Sequence, residues 1–243
     1  MKKLFLGIIL IALVSQVKAQ ESETTKTISR FGVKTSLNLS GVRFANSEFQ
    51  EFLGSETDRL VNGSFGIYGE TGHDYYVTQI GLQYFGKGFS AENNYSTRFH
   101  TLQVPLMFNF RLPIADQFGL QMGLGGYGSV AFMAIEDDDG TTNEDLLSFK
   151  RKLESGDEPD DVKMYHPLDF GLSFGGNFEW EYMEGKIVEL GFQYDLGLWK
   201  VTNDMPLIEG SEEPINPGMK NNAFVISVAF LFDKNGIESN DEQ

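Results

Sequence analysis

Five groups of residues in this chain have types and spacings that could do chemistry. Gly123-Leu124-Gly125-Gly126-Tyr127-Gly128 carries the glycine spacing with which a dinucleotide site brings backbone close to a pyrophosphate. Gly171-Leu172-Ser173-Phe174-Gly175 carries the spacing of a nucleophile elbow. Both chemistries need a strand that turns sharply into a helix. Around both segments apolar and polar residues simply go on alternating, so these sites are read as glycines that let strands crowd and a serine that lines an interior. His73, His100 and His166 share no ligand spacing, which argues against an imidazole-bound metal. In Glu136-Asp137-Asp138-Asp139-Gly140, taking the glycine as the sixth position of a calcium loop puts Ile135 first and Leu146 last, where carboxylates are required. A solvated acidic loop is the expectation there. The fifth group is a set of isolated charges, Lys34, Glu70, Arg111, Glu179, Glu181 and Glu189, whose meaning depends on the elements that carry them.

Those elements are strands. Eight stretches alternate with period two: 31–42, 63–71, 76–87, 99–111, 118–132, 168–182, 188–196 and 224–232. The sixth is the clearest, with Leu168, Phe170, Leu172, Phe174, Phe178, Trp180 and Tyr182 set against Asp169, Gly171, Ser173, Gly175, Asn177, Glu179 and Glu181. Several stretches reach the roughly 9–11 residues that a tilted strand needs to cross hydrocarbon. The fold class is therefore all-β, an eight-stranded antiparallel up-and-down transmembrane β-barrel.

Alternation alone leaves the faces interchangeable, because a soluble barrel inverts them. Three features set the apolar face outward. Gly, Ser and Gln crowd the polar face, as suits a narrow bore. Phe31, Tyr76, Phe110, Phe118, Trp180, Tyr182 and Phe232 fall at one rim, as a membrane-interface girdle does. Connections at 72–75, 112–117 and 183–186 are short, whereas those at 43–62, 89–98, 133–166 and 203–221 are longer, the asymmetry of periplasmic turns and external loops. Leu172 is then expected to face lipid near mid-span. Two external loops are expected to hold short helices, at 47–54 and at 144–153, where Leu146, Phe149 and Leu153 share a side.

The ends and the composition agree with an envelope address. Lys2 and Lys3, the apolar run 4–14 and small residues before Ala19 make a secretory signal over residues 1–19, too short to be a spanning helix. A polar periplasmic segment, 20–30, precedes the barrel at 31–232, and an acidic tail, 233–243, follows it. The chain holds 19 Lys+Arg against 35 Asp+Glu, a net of −16. Loss of Lys2, Lys3 and Lys18 with the signal would leave 16 against 35, near −19. Such a charge excludes nucleic acid as a natural partner. There is no cysteine, so no lipid-modified cysteine and no disulfide framework.

On these strands Glu70, Glu179, Glu181 and Glu189 face inward in the periplasmic half, with Lys34 and Arg111. If strands six and seven pair across 183–186, Glu181 lies nearly opposite Glu189. A lumen charge network through Lys34 and Arg111 that fills the bore is the favoured reading, ahead of charges dispersed in water and well ahead of an acid/base catalytic site.

Phe31-Gly32-Val33-Lys34-Thr35-Ser36-Leu37-Asn38-Leu39-Ser40, Leu82-Gln83-Tyr84-Phe85-Gly86-Lys87-Gly88-Phe89 and Leu102-Gln103-Val104-Pro105-Leu106 resemble the PorT-type outer-membrane β-barrel family of the Bacteroidetes. The resemblance covers 31–232 and implies an eight-stranded barrel delivered by a signal peptide to the cell outer membrane. It implies no activity. The family's namesake belongs to the type IX secretion machinery, and this chain is no close match to that protein. The tail after Phe232 departs from barrels that finish on the aromatic. The expected function is non-enzymatic, a structural or interaction role in the envelope with docking to a larger envelope or secretion complex. The alternatives are a lipid-modifying enzyme and a narrow channel. No cofactor and no metal are expected. Expected partners are outer-membrane lipid, the barrel assembly machinery during biogenesis, and envelope proteins met through acidic loops or periplasmic tails.

Overall fold

The computed structural model describes residues 27–44, 57–73, 75–91, 96–138, 141–146, 166–202 and 218–233. Nine strands follow in chain order: β1 (Thr27–Arg43), β2 (Thr57–His73), β3 (Tyr76–Ala91), β4 (Ser96–Ala115), β5 (Phe118–Asp138), β6 (Thr141–Leu146), β7 (Leu168–Met183), β8 (Lys186–Gly197) and β9 (Lys220–Asp233). Neighbours run β4-β3-β2-β1-β9-β8-β7-β5, and β4 also pairs with β5, so eight strands close on themselves. Every pairing is antiparallel. β6 stands outside the ring and, among the described residues, pairs only with the outer end of β5, Met133↔Leu146 to Asp138↔Thr141.

The tight connections β2–β3, β4–β5 and β7–β8 lie at one end, together with Thr27 and Asp233. At the β7–β8 turn Gly185 takes φ 67°, a left-handed geometry that glycine adopts without a Cβ clash. The opposite end carries the longer connections and is the extracellular one.

Closure removes every sheet edge from the hydrocarbon and pairs the backbone of each spanning segment, which lipid requires. The apolar face does point outward: Phe31, Leu37, Phe65, Ile67, Leu124 and Phe174 are exposed, while Asn38, Gln103, Gln121 and Ser173 are wholly buried. The periplasmic girdle is real. Phe31 sits opposite Phe232 with ring centroids 5.8 Å apart, and Tyr76 opposite Phe110, also at 5.8 Å. A second aromatic row marks the extracellular rim, Phe65–Tyr84 at 5.4 Å, Tyr84–His100 at 5.8 Å and His100–Phe132 at 6.3 Å, with Trp199 against Phe170 at 6.2 Å. His100 to Phe110 on β4, and Phe170 to Trp180 on β7, span ten residues each. At a rise of about 3.3 Å and a tilt of about 40°, that places the girdles about 25 Å apart, the height of an outer-membrane apolar band.

Several expectations are corrected. β1 begins at Thr27 rather than Phe31, so the last residues of the expected polar N-terminal segment, including Arg30, belong to the barrel wall. β9 runs one residue past Phe232, to Asp233. Glu144, Asp145 and Leu146, expected to open a loop helix, are the end of strand β6, where pairing to β5 satisfies backbone groups that a short exposed helix would leave to water. Leu172 faces outward, but only two residues from Phe170 and the extracellular girdle, so it is not mid-span. The expected signal peptide, the helix at 47–54 and the tail beyond Asp233 lie outside the described residues.

Candidate functional site

The bore is filled from end to end. Inward positions alternate with lipid-facing ones, so each strand delivers a polar side chain to the lumen at every second residue. At the periplasmic end a vestibule of about 340 Å³, lined by Ile28, Pro113, Asp116 and Glu181, stops at Arg30 and Arg111. Behind them lies a charged layer. Arg30 Nη1 donates to Glu179 Oε1 at 2.9 Å and to Glu70 Oε2 at 3.4 Å. Arg111 Nε donates to Glu179 Oε2 at 2.6 Å. Gln79 Nε2 and Gln121 Nε2 donate to Glu70 Oε1 at 3.1 and 3.3 Å, and Gln121 Nε2 reaches Glu179 Oε1 at 2.5 Å. Tyr68 donates its phenolic hydrogen to Glu189 Oε2 at 2.6 Å.

Of the six expected site residues, Glu70, Glu179, Glu189 and Arg111 come together in this layer. Lys34 lies half-buried beside it, its ammonium 5.4 Å from the centre of the Tyr68 ring, and interacts electrostatically with Glu189 and Glu70. Glu181 stays out. The register sets Glu179 opposite Glu189 and Glu181 opposite Ile187; without the bulge between Glu181 and Met183, Trp180 would face Glu189. Its carboxylate instead accepts the Gly185 N–H at 2.9 Å and ties down the turn. Arg30, which bridges two of the acids, was not among the expected residues. Its signal was an arginine one residue before the first outward aromatic, at an inward phase that the strand pattern already implied.

Oxygens of Glu70, Glu179 and Glu189 lie within 4.8 Å of one another, a spacing that could suit a cation. Arg30 and Gln121 already occupy the oxygens of Glu70 and Glu179, and Arg30, Lys34 and Arg111 match the three acids in charge. The layer is therefore self-neutralised, the arrangement that makes buried charge tolerable.

Two further layers complete the fill. Asp195 accepts from Ser173 at 2.7 Å, Gln193 at 2.6 Å and Gln103 at 3.1 Å. Nearer the outside, Lys87 donates to Asp169 at 2.8 Å and to Ser129 at 3.2 Å and lies 4.1 Å from the centre of the Tyr127 ring, while Asn221 joins Asp169 at 3.1 Å. Val42, Phe89, Phe99, Ala134, Val201 and Met219 then cap the extracellular mouth with an apolar plug. One void between layers, lined by Lys34, Tyr68, Gln79 and Phe85, is about 10 Å³. That volume is at the lower limit for a single water.

The sequence motifs resolve accordingly. Ser173 is a wholly buried mid-strand residue bonded to Asp195, with no helix after it. At Gly125 an added Cβ would overlap the carbonyl oxygen of Leu106 on β4, so close approach of neighbouring strands, not a cofactor, requires this glycine. Tyr127 follows it inward and fills the bore.

The model of the family described as "Outer membrane protein beta-barrel domain" matches residues 18–203. No curated protein matches the chain. Among solved structures the chain is similar to OprG of Pseudomonas aeruginosa, with 14% identity, coverage of 85% of this chain and 94% of that one, and a TM-score of 0.47. It is also similar to Neisserial surface protein A, at 8% identity, 83% and 96% coverage and a TM-score of 0.45. A third is Ail, the attachment invasion locus protein of Yersinia pestis, at 11% identity, 84% and 99% coverage and a TM-score of 0.40.

Proposed function

The chain belongs to the outer membrane protein beta-barrel domain family and sits in the bacterial outer membrane, and from that premise we propose that it is a plugged, non-enzymatic barrel with a structural or docking role in the envelope. The observation that carries this reading is the continuous fill of the lumen, from Arg30 and Arg111 at the vestibule floor to Phe89 and Phe99 at the outer mouth. Layers of buried charged, polar and aromatic side chains across the bore leave no evident path for a hydrated solute among the described residues. A barrel of eight strands is in general just wide enough to be packed by side chains.

What remains available for function is the outside of the molecule: loops at one end, tails and turns at the other, and a lipid-facing wall between. Docking to a larger envelope complex through those ends fits that geometry. The strand motifs that open β1 at Phe31, run through Leu82–Phe89 in β3 and include Val104-Pro105 in β4 support a place among the PorT-type barrels of the Bacteroidetes. During biogenesis the barrel assembly machinery is its partner.

Recording from the purified folded barrel in a planar bilayer tests the plug, with no unitary current expected and stable open steps overturning it. Crosslinking in intact cells tests the docking role. A defined envelope protein recovered with the barrel is the expected result; recovery of lipid and assembly factors alone would remove the docking role and leave a structural one.

A further inference from the structure

The outer wall has a charge asymmetry that the plug does not use. In a chain of net −16, the outward-facing cations of β2, β1 and β9 gather at the extracellular rim: Arg59, Arg43 and Lys220, with Lys200 just past the end of β8. At the periplasmic rim the outward cation of these walls is Lys186, opposite Phe232. The extracellular group is contiguous. Arg43 is the direct register partner of Lys220, which puts their Cα atoms about 5 Å apart. Arg59 crosses to β1 over Gly41, where an added Cβ would lie 3.2 Å from its Cγ, and donates to the carbonyl of Leu39 at 3.3 Å. Arg43 reaches over β9 to donate to the carbonyl of Gly197 at 2.9 Å. Both arginines are thus fixed by one backbone contact each, which leaves further N–H donors on each guanidinium.

None of these four side chains is in an ion pair with a carboxylate among the described residues, although Asp58 sits exposed beside Arg59. Directly below them the wall is apolar and exposed at Leu39, Val61 and Leu198, and Trp199 lies at the same rim. The group therefore stands at the height where acyl chains end and headgroups begin, on the leaflet that faces the outside. Cations at that depth are complementary to a fixed anion carried by lipid.

We infer that Arg43, Arg59, Lys200 and Lys220 form a site for the phosphate groups of a phosphorylated glycolipid in the outer leaflet. The two guanidinium groups supply directional donors to phosphate oxygens and the two lysines supply point charge. The inference rests on the outer-membrane address and not on the docking role, so crosslinking results leave it standing.

The test uses the full barrel carrying Trp180→Phe, which leaves Trp199 as the reporting tryptophan of the two in the chain. It is folded into phosphatidylcholine nanodiscs and titrated with diphosphorylated lipid A, dephosphorylated lipid A, phosphatidylglycerol or inorganic phosphate. Saturable change in Trp199 emission with the diphosphorylated lipid alone is expected. Arg43→Gln/Arg59→Gln/Lys220→Gln should weaken it on the order of a hundredfold, and Arg43→Lys/Arg59→Lys should retain most of it. Should the neutral variant not fold, Lys200→Gln/Lys220→Gln, which removes no side-chain hydrogen bond among the described residues, should still weaken binding roughly tenfold. Equal response to dephosphorylated lipid, to phosphatidylglycerol or to inorganic phosphate would overturn the assignment, as would wild-type affinity in the neutral variants.

Discussion

Replacing Arg30 with methionine is the sharpest perturbation of the lumen. The side chain is 6% exposed and meets three carboxylates, Glu179 at 2.9 Å, Glu70 at 3.4 Å and, more loosely, Asp233 at 3.9 Å. At an effective dielectric of 20, one unit pair at about 3 Å attracts by about 6 kcal/mol. Much of that is offset because the arginine must leave water, so the measured loss comes mainly from stranding acids that cannot rehydrate. Removing one member of a buried pair commonly costs about 3–5 kcal/mol, and Arg30→Met is expected in that range. Glu179 retains Arg111, whereas Glu70 keeps only the amides of Gln79 and Gln121. Adding Glu70→Gln should therefore restore at least half of the loss, a non-additivity that independent sites do not show. Urea unfolding in phosphatidylcholine vesicles, followed by the gel mobility of unheated samples, measures both. A loss under about 1 kcal/mol for Arg30→Met, or no recovery in the double variant, would refute the reasoning.

Other outcomes follow from the same geometry and the same assay. Leu124 faces lipid near mid-span at 62% exposure, so Leu124→Arg should cost about 2–4 kcal/mol; a tolerated arginine would mean that the faces are inverted. Gly125→Ala forces a methyl into the Leu106 carbonyl and should cost about 1–3 kcal/mol. Gly63→Ala meets nothing within 4 Å and should stay within about 0.5 kcal/mol of wild type. Lys34 makes a ring contact at 5.4 Å but no ion pair among the described residues, so Lys34→Met should cost less than half of what Arg30→Met costs.

The wall was legible because its physics repeats every second residue. Leu168 to Tyr182 can satisfy both lipid and bore in only one orientation, and the girdle aromatics mark where that wall ends. The charges were legible as inward-facing but not as partners. Which acid meets which cation depends on register, and one bulge between Glu181 and Met183 moves the residue facing Glu189 from Trp180 to Glu179. Arg30 escaped because strand onset was read from the first outward aromatic, whereas β1 continues through Thr27 by pairing with β2 up to His73. β6 escaped because Leu146, Phe149 and Leu153 mimic a helical face, and because Asp139-Gly140, the hairpin dipeptide between the paired Asp138 and Thr141, was read only as part of an acidic loop. The outer layers around Lys87, Asp169 and Asp195 were present in the alternation as polar positions, but nothing in spacing alone tells a solvated aspartate from a bonded one.

The bridge from Arg30 to Glu179 joins residues 149 positions apart, and Arg30 also sits opposite Asp233 at the seam where the first and last strands meet. The β1–β2 hairpin already sets Arg30 opposite Glu70, but until the seam zips an incomplete sheet entering the bilayer carries Glu179 of β7 without Arg30. Partly inserted intermediates are thereby penalised electrostatically, on top of the slow search that such distant pairings impose. The lumen fill thus doubles as an assembly checkpoint, rewarding only the polypeptide that has brought its beginning and its end together.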